Sequence, residues 1–246
     1  MSYISKKGRE AAESAMSEGS SNVSKALKTF KSGTTYKVRV PSISDFVEYF
    51  NHSVFKVFYS CPCTRANGEP DAYDKAVDLL YQDADKAKKA GDEPLAEELR
   101  KQAYTLKAKP RYLFGFFNLE DGEPLIIDVS KKQAQVLILG IEKFAKKLNK
   151  VAFEISKTGS GQSTTVSIMP VLDMDDDLSK DEQKAFETTK DKDFDDDIYG
   201  KVLKVKTEDE QIADLRAFGF DVSRLGYDND EAAPIDDADE DPSVNF

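Results

Sequence analysis

The only histidine and the only two cysteines of this chain, His52, Cys61 and Cys63, fall in one short stretch. Structural zinc takes four ligands, with cysteine pairs usually spaced C-x₂₋₄-C. A C-x-C pair with one histidine lacks a fourth ligand, which a carboxylate or a second subunit would have to supply. Two ordinary thiols near a turn are the simpler reading, so the residues call for no cofactor. A lone histidine also removes most Ser-His-Asp arrangements, and no Ser or Cys sits in a nucleophile-elbow context. The stretch "TGSGQST" (158–164) has no Lys after its glycines, and strand-forming residues rather than a helix follow it. It therefore reads as a hairpin tip and not as a P-loop, although backbone N–H groups in such a tip can approach phosphates. Asp173, Asp175 and Asp177 open like a calcium loop, but Leu178 and Lys184 stand where that loop needs Gly and Glu. A two-metal nuclease needs carboxylates on rigid strands, and most carboxylates here lie late in the chain or on helix surfaces. No enzyme is expected.

What remains is a set of cations interleaved with aromatic rings. Tyr36 is followed by Lys37 and Arg39; Tyr49, Phe50, Phe55, Phe58 and Tyr59 share a segment with Lys56; Lys107, Lys109, Arg111 and Tyr112 lead into Phe114, Phe116 and Phe117. Single-strand nucleic-acid binding needs both parts, cations along the phosphates and flat rings under the bases. Phenylalanines on strands are mostly core. The expected stacking faces are therefore Tyr36, Tyr49, Tyr59 and Tyr112. The expected phosphate contacts are Lys37, Arg39, Lys56, Lys107, Lys109, Arg111 and Lys157.

Charge divides the 246 residues unevenly. Residues 1–170 carry 26 Lys and Arg against 21 Asp and Glu, whereas residues 171–246 carry 9 against 25. A basic body joined to an acidic segment points to a polyanion partner, or to an internal competitor for one. The chain closes on "PIDDADEDPSVNF". Asp236, Asp237, Asp239, Glu240 and Asp241 would act as a tethered polyanion, and Phe246 offers a ring plus a carboxylate to a partner's apolar pocket. Two cysteines make no disulfide framework, which favours a reducing compartment. No run reaches the roughly 18 apolar residues of a membrane span, and the N-terminus lacks the apolar stretch of a secretory signal. A cytoplasmic location is expected.

The elements that would position these residues follow from periodicity. A short exposed helix is predicted over 4–18 and another over 22–31. Alternation predicts strands in 35–41, 44–60, 110–119, 125–129, 151–156 and 164–171. Tyr73, Val77, Leu80, Ala84 and Ala87, then Leu95, Leu99, Ala103 and Leu106, line one face each of a helical hairpin over 71–106. Ser130 with Gln133 forms a capping box, and an apolar stripe from Ala134 to Leu148 predicts a helix over 131–149. Thr207 with Glu210 forms a second capping box and predicts a short helix in the acidic segment. The expected fold is mainly β with α additions: an OB-like antiparallel barrel over 33–172 with an inserted helical hairpin. An N-terminal helical segment (1–32) would precede it, and a largely disordered acidic tail (173–246) would follow.

Read in order, "TYKVRVP", "FVEYFNHSVFKVFYSCPC", the charged insert, "KPRYLFGFF", "IIDVSKKQAQVLILGIEKF" and "VAFEISKTGSGQSTTVSIMPV" resemble the bacteriophage single-stranded-DNA-binding proteins of the helix-destabilising kind. The resemblance covers roughly residues 33–172. It implies an OB-fold core, sequence-independent coating of single strands in phage replication, recombination and repair, self-association on DNA, and an acidic C-terminal region that recruits replication partners. Some members carry zinc in the segment holding His52, Cys61 and Cys63, the only matches to that ligand set here. Two rivals stand beside this reading: an acidic adaptor or DNA mimic, and a metal-dependent nuclease.

Overall fold

The computed structural model describes residues 25–228. The helix expected over 4–18 and the acidic residues 236–246 lie outside them. Seven strands form one antiparallel sheet: β1 (Thr35–Arg39), β2 (Phe46–Val54), β3 (Phe58–Pro62), β4 (Lys109–Asn118), β5 (Pro124–Ser130), β6 (Phe153–Thr158) and β7 (Thr165–Pro170). The order is β3-β2-β4-β1-β6-β7, with β5 on the other edge of β4. One edge of β4 takes β2 along its first half, Asn51 opposite Lys109 to Phe46 opposite Phe114, and β1 at its end, Arg39 opposite Phe117. Two strands following each other along one edge, with the usual strand twist, curl the sheet into a half-barrel.

Seven helices among the described residues make the fold mixed α/β rather than mainly β. The expected hairpin is present as α1 (Ala72–Lys89) and α2 (Glu93–Leu106), capped by the carboxylates of Asp71 and Asp92. Helix α3 (Lys131–Lys143) starts at the predicted capping box but stops six residues before the predicted end. A single 3-10 turn follows, and then Asn149 at a positive φ of 59°, a conformation Asn tolerates better than most residues.

The largest correction concerns the acidic segment. Residues 173–228 are not disordered; they form α4 (Met174–Asp177), α5 (Lys180–Thr189), α6 (Asp197–Val202), α7 (Glu208–Phe218) and a last 3-10 turn, Val222–Leu225. The physical cause is a scatter of apolar anchors. Leu178 and Phe186 pack with Leu119, Ala152 and Val171; Phe194, Ile198 and Tyr199 pack on Leu113, Phe117 and Ile126; Ile212, Leu215, Phe220 and Val222 pack with α1 and β3. The carboxylates sit at helix starts, where they satisfy free N–H groups. The would-be calcium residue Asp173 is such a cap, accepting from the N–H groups of Asp175 and Asp176 at 3.0 and 3.2 Å.

Both faces of the sheet are therefore covered. The main core joins Val38, Phe114, Phe116, Ile127, Phe153 and Ile155 to Leu137 and Ile141 of α3. On the opposite face, a Cβ on Gly115 would lie 2.5 Å from the Phe194 ring, so glycine is what lets that ring approach β4. Among the described residues no helix is long and apolar enough to cross a membrane.

Candidate nucleic-acid interface

A cleft of about 390 Å³ opens beside β2, β3 and β4, closed on its other sides by residues 27–30 and by the strap 202–206 between α6 and α7. Strand pairing builds its floor. Tyr49 lies opposite Arg111 across β2 and β4, and Asp128 of β5 stands diagonal to them. Arg111 Nε donates to both oxygens of Asp128, at 2.9 and 3.2 Å, and the Tyr49 hydroxyl donates to Oδ2 at 2.9 Å. Burial first, and the Asp128 charge second, hold the Tyr49 phenol well above its ordinary pKa. Burial works against the Arg111 charge, but Asp128 outweighs it and raises that pKa. The cleft floor is thus a neutralised, hydrogen-bonded pair with one ring beside it. Lys28, Lys204 and Lys206 line the walls together with Glu210, and Lys206 pairs with Asp214 at 2.6 Å.

The exposed members of the expected set gather at the β2–β3 turn and at the start of β4. Lys56, Lys107, Lys109 and Tyr59 are all exposed, and Tyr59 also lines the cleft. Lys56 holds a positive φ of 62° in the turn and sets its ammonium 5.5 Å from the Phe55 ring centre. Lys109 sits 5.4 Å from the Tyr104 ring.

These two rings, with Phe50, are exposed but stand outside the expected set. Tyr104 is 65% exposed, Phe55 58% and Phe50 45%. The rule that strand phenylalanines are core hid Phe50 and Phe55. Tyr104 had a legible signal, because it falls one position off the Leu99–Ala103–Leu106 stripe of α2.

Other expected contacts are engaged inside the protein. Arg39 is 1% exposed. Its guanidinium donates to Asn149 Oδ1 at 2.6 Å, to the carbonyl of Lys190 at 3.3 Å and to that of Lys192, and lies 4.6 Å over the Phe117 ring. Lys157 is 4% exposed, with its ammonium 5.7 Å from the Phe30 ring. The alternation of β1 suggested an outward Arg39, but the chain at Asn149 and residues 190–192 encloses it; Lys157 falls in phase with the inward Phe153 and Ile155 of β6 and is buried with them. Lys37 donates to the Asp177 carbonyl at 2.6 Å and pairs with Glu182 at 3.2 Å. The Tyr36 hydroxyl donates to the carbonyl of Thr29 and that of Tyr112 to Glu48, both rings staying half-buried. The structure thus places Arg39 and Lys157 away from any surface a phosphate can reach.

Between β2, the end of β3 and the start of α1 lies the one His/Cys/carboxylate group found among the described residues: His52, Cys63, Asp71 and Asp74, with ligand atoms all within 4.8 Å of one another. His52 is fully buried, and its Nδ1 lies 2.9 Å from the Leu106 carbonyl. Its Nε2 has no hydrogen-bond partner and faces Asp71 Oδ2 at 3.4 Å and Asp74 Oδ1 at 3.7 Å. Cys63 Sγ lies 3.3 Å from Asp74 Oδ2, and Arg65 Nε reaches Asp74 Oδ1 at 3.1 Å. Burial disfavours an imidazolium here, but the neighbouring Asp71, Cys63 and Leu106 groups outweigh it and raise the His52 pKa to about 10. Cys61 is not part of this group. It is buried with its thiol toward the Pro62 carbonyl, and burial pushes its pKa up to about 11. No protein-family model matches the chain, and comparison with curated proteins finds no match.

Proposed function

We propose that this chain binds single-stranded DNA without sequence preference, and that the half-barrel is an OB-like core serving that purpose. The observation that carries the reading is the presence of unburied rings beside lysines, Phe55 with Lys56 and Tyr104 with Lys109, with Phe50 and Tyr59 also exposed on β2 and β3. Leaving such rings in water forgoes roughly 1.5–3 kcal/mol of burial for each large apolar side chain. Stacking on a base recovers about 1–3 kcal/mol per ring, and an adjacent ammonium serves the phosphate between bases. The cleft floored by Tyr49 and Arg111 extends this surface on the other face of β2. The resemblance of residues 33–172 to phage helix-destabilising proteins supports the same assignment. Under it, residues 236–246 serve as the competing polyanion and recruit replication or recombination proteins.

The test is fluorescence anisotropy with labelled oligo-dT. Phe55→Ala and Tyr104→Ala are each expected to weaken binding by about 5- to 150-fold. Lys56→Ala is expected to flatten the log–log salt slope by about 0.7. An affinity that ignores salt, or equal affinity for duplex and single strand, refutes the proposal.

A further inference from the structure

We propose that β7 is the contact edge of a symmetric dimer, in which a second copy of this chain lays its own β7 antiparallel to it and extends the sheet across a two-fold axis. The contact needs no DNA, uses neither the cleft nor the exposed rings, and stands apart from the nucleic-acid proposal.

The sheet ends at β7, which pairs only with β6. The Val171 N–H donates to the Ala152 carbonyl at 2.8 Å, and the register runs on from there, Phe153 opposite Pro170 to Thr158 opposite Thr165. In an antiparallel pair, alternate residues turn their backbone groups to the same side. Thr165, Ser167 and Met169 therefore turn theirs to β6. Val166 and Ile168 turn theirs outward, where no strand among the described residues meets them. An open edge is a template for another strand, and proteins usually guard one with charge or proline. Here Pro170 stands only at the end of the strand. From Thr158 to Leu172 the sequence holds fifteen residues without a charge, in a chain that is 33% charged.

Exposed apolar side chains gather around the same edge. Met169 is 56% exposed and Leu172 89%. Gly140 sets α3 against β7, since a Cβ there would lie 2.3 Å from Cγ2 of Ile168. Leu139 beside it and Val136 one turn earlier are 66% and 46% exposed.

An uncharged edge fits an uncharged strand, and β7 is itself one. Centring the two-fold on Ser167 sets Val166 against the partner's Ile168 and Ile168 against the partner's Val166, so that every outward N–H and C=O of these residues finds a mate. A two-fold one residue later would set Val166 against the partner's Pro170, which has no N–H. One residue earlier would need the Thr164 N–H, which already serves the Gly161 carbonyl. Ser167 then faces the partner's Ser167 in a non-hydrogen-bonded pair, with Cα atoms about 4.5 Å apart. The patch is its own complement, as a two-fold interface requires.

Sedimentation of the full chain without DNA, at concentrations up to about 100 μM, is expected to show twice the mass of one chain at the upper end. Each copy carries a net charge of −11, so added salt should strengthen the dimer by screening that repulsion, the opposite sign to DNA binding. Ser167→Lys sets two ammonium groups face to face at the axis and should weaken dimerisation about tenfold or more, whereas Ser167→Ala should keep it. In a Cys63→Ser background oxidised with diamide, Ser167→Cys should link two copies, because its expected Cα separation lies in the disulfide range. Thr165→Cys should not, because it faces the partner's Met169. Circular dichroism confirms that each variant is folded. A single-chain mass at every concentration and salt, a dimer that Ser167→Lys leaves intact, or Thr165→Cys linking as readily as Ser167→Cys overturns the proposal.

Discussion

Adding one methyl group at Gly115 tests how the acidic segment is attached to the sheet. An ideal Cβ there would lie 2.4 Å from the Tyr199 hydroxyl oxygen and 2.5 and 2.6 Å from two atoms of the Phe194 ring. Comfortable carbon contacts begin near 3.5 Å, so the neighbours must yield by about an ångström. They have little room. Phe194 stands edge-on to Phe117 at 5.9 Å and lies 5.3 Å from Tyr199. Overpacking of this kind costs about 1–3 kcal/mol, a loss of about 5- to 150-fold in the folding equilibrium. Phe194→Ala alone should cost about 3–5 kcal/mol through the cavity it leaves. In that background two of the three close contacts are gone. Gly115→Ala should then cost measurably less than it does alone, with a coupling of at least about 0.5 kcal/mol. Urea denaturation of the four proteins gives each stability from the midpoint and slope. A Gly115→Ala protein as stable as the parent, or strictly additive costs, would refute the docking of Phe194 and Tyr199 on β4.

Arg39→Ala should lower stability by about 1–3 kcal/mol, because it leaves the Asn149 side-chain oxygen and the Lys190 and Lys192 carbonyls without their donor, yet leave oligo-dT affinity per folded molecule unchanged. Denaturation and anisotropy on the same sample check this, and a pure affinity loss would show that Arg39 reaches DNA. Arg111→Ala leaves Asp128 with the Tyr49 hydroxyl alone. The pair keeps about a quarter of its side-chain surface in water, so a cost of about 1–3 kcal/mol is expected, partly recovered in Arg111→Ala/Asp128→Asn. Burial works against the Glu182 carboxylate, but hydrogen bonds from Ser179 and the Lys37 ammonium outweigh it and lower the pKa. A folded pKa below the unfolded one gives stability that is complete above about pH 4.3 and is lost as pH falls through the folded value. Glu182→Gln should therefore flatten the acid side of the stability profile, read as urea midpoints between pH 7 and pH 3.

The sheet and its insert were legible because their periodicities are clean. Tyr36, Val38 and Val40 alternate, α1 and α2 carry full apolar stripes, and Ser130 with Gln133 marks the start of α3. The acidic segment was not legible. Its helices α4 and α6 are four and six residues long, too short to show a 3.6-residue period, and single anchors such as Phe186 or Phe194 are diluted by carboxylates. A clue lay elsewhere. "LFGFF" (113–117) is apolar at consecutive positions, which in a strand means that both faces are covered. The candidate interface followed a similar rule. Residue type suggested which side chains could touch DNA, but the overlying chain encloses Arg39, the inward phase of β6 encloses Lys157, and Phe55 and Tyr104 stay uncovered. The metal-type cluster was half visible, since Asp71 and Asp74 join it only because the start of α1 folds back onto β2.

The covering of β4 from both sides has a consequence for the order of synthesis. The last strand ends at Pro170, while the residues that cover the second face and the flank of α1 run to Val222. At about 5–20 residues per second, a ribosome needs roughly 3 to 10 s to deliver them. During that interval the nascent sheet shows Leu113, Phe117 and Ile126 to the surrounding solution. Yield in cells should therefore depend on temperature and on chaperone supply more than the stability of the finished molecule would suggest.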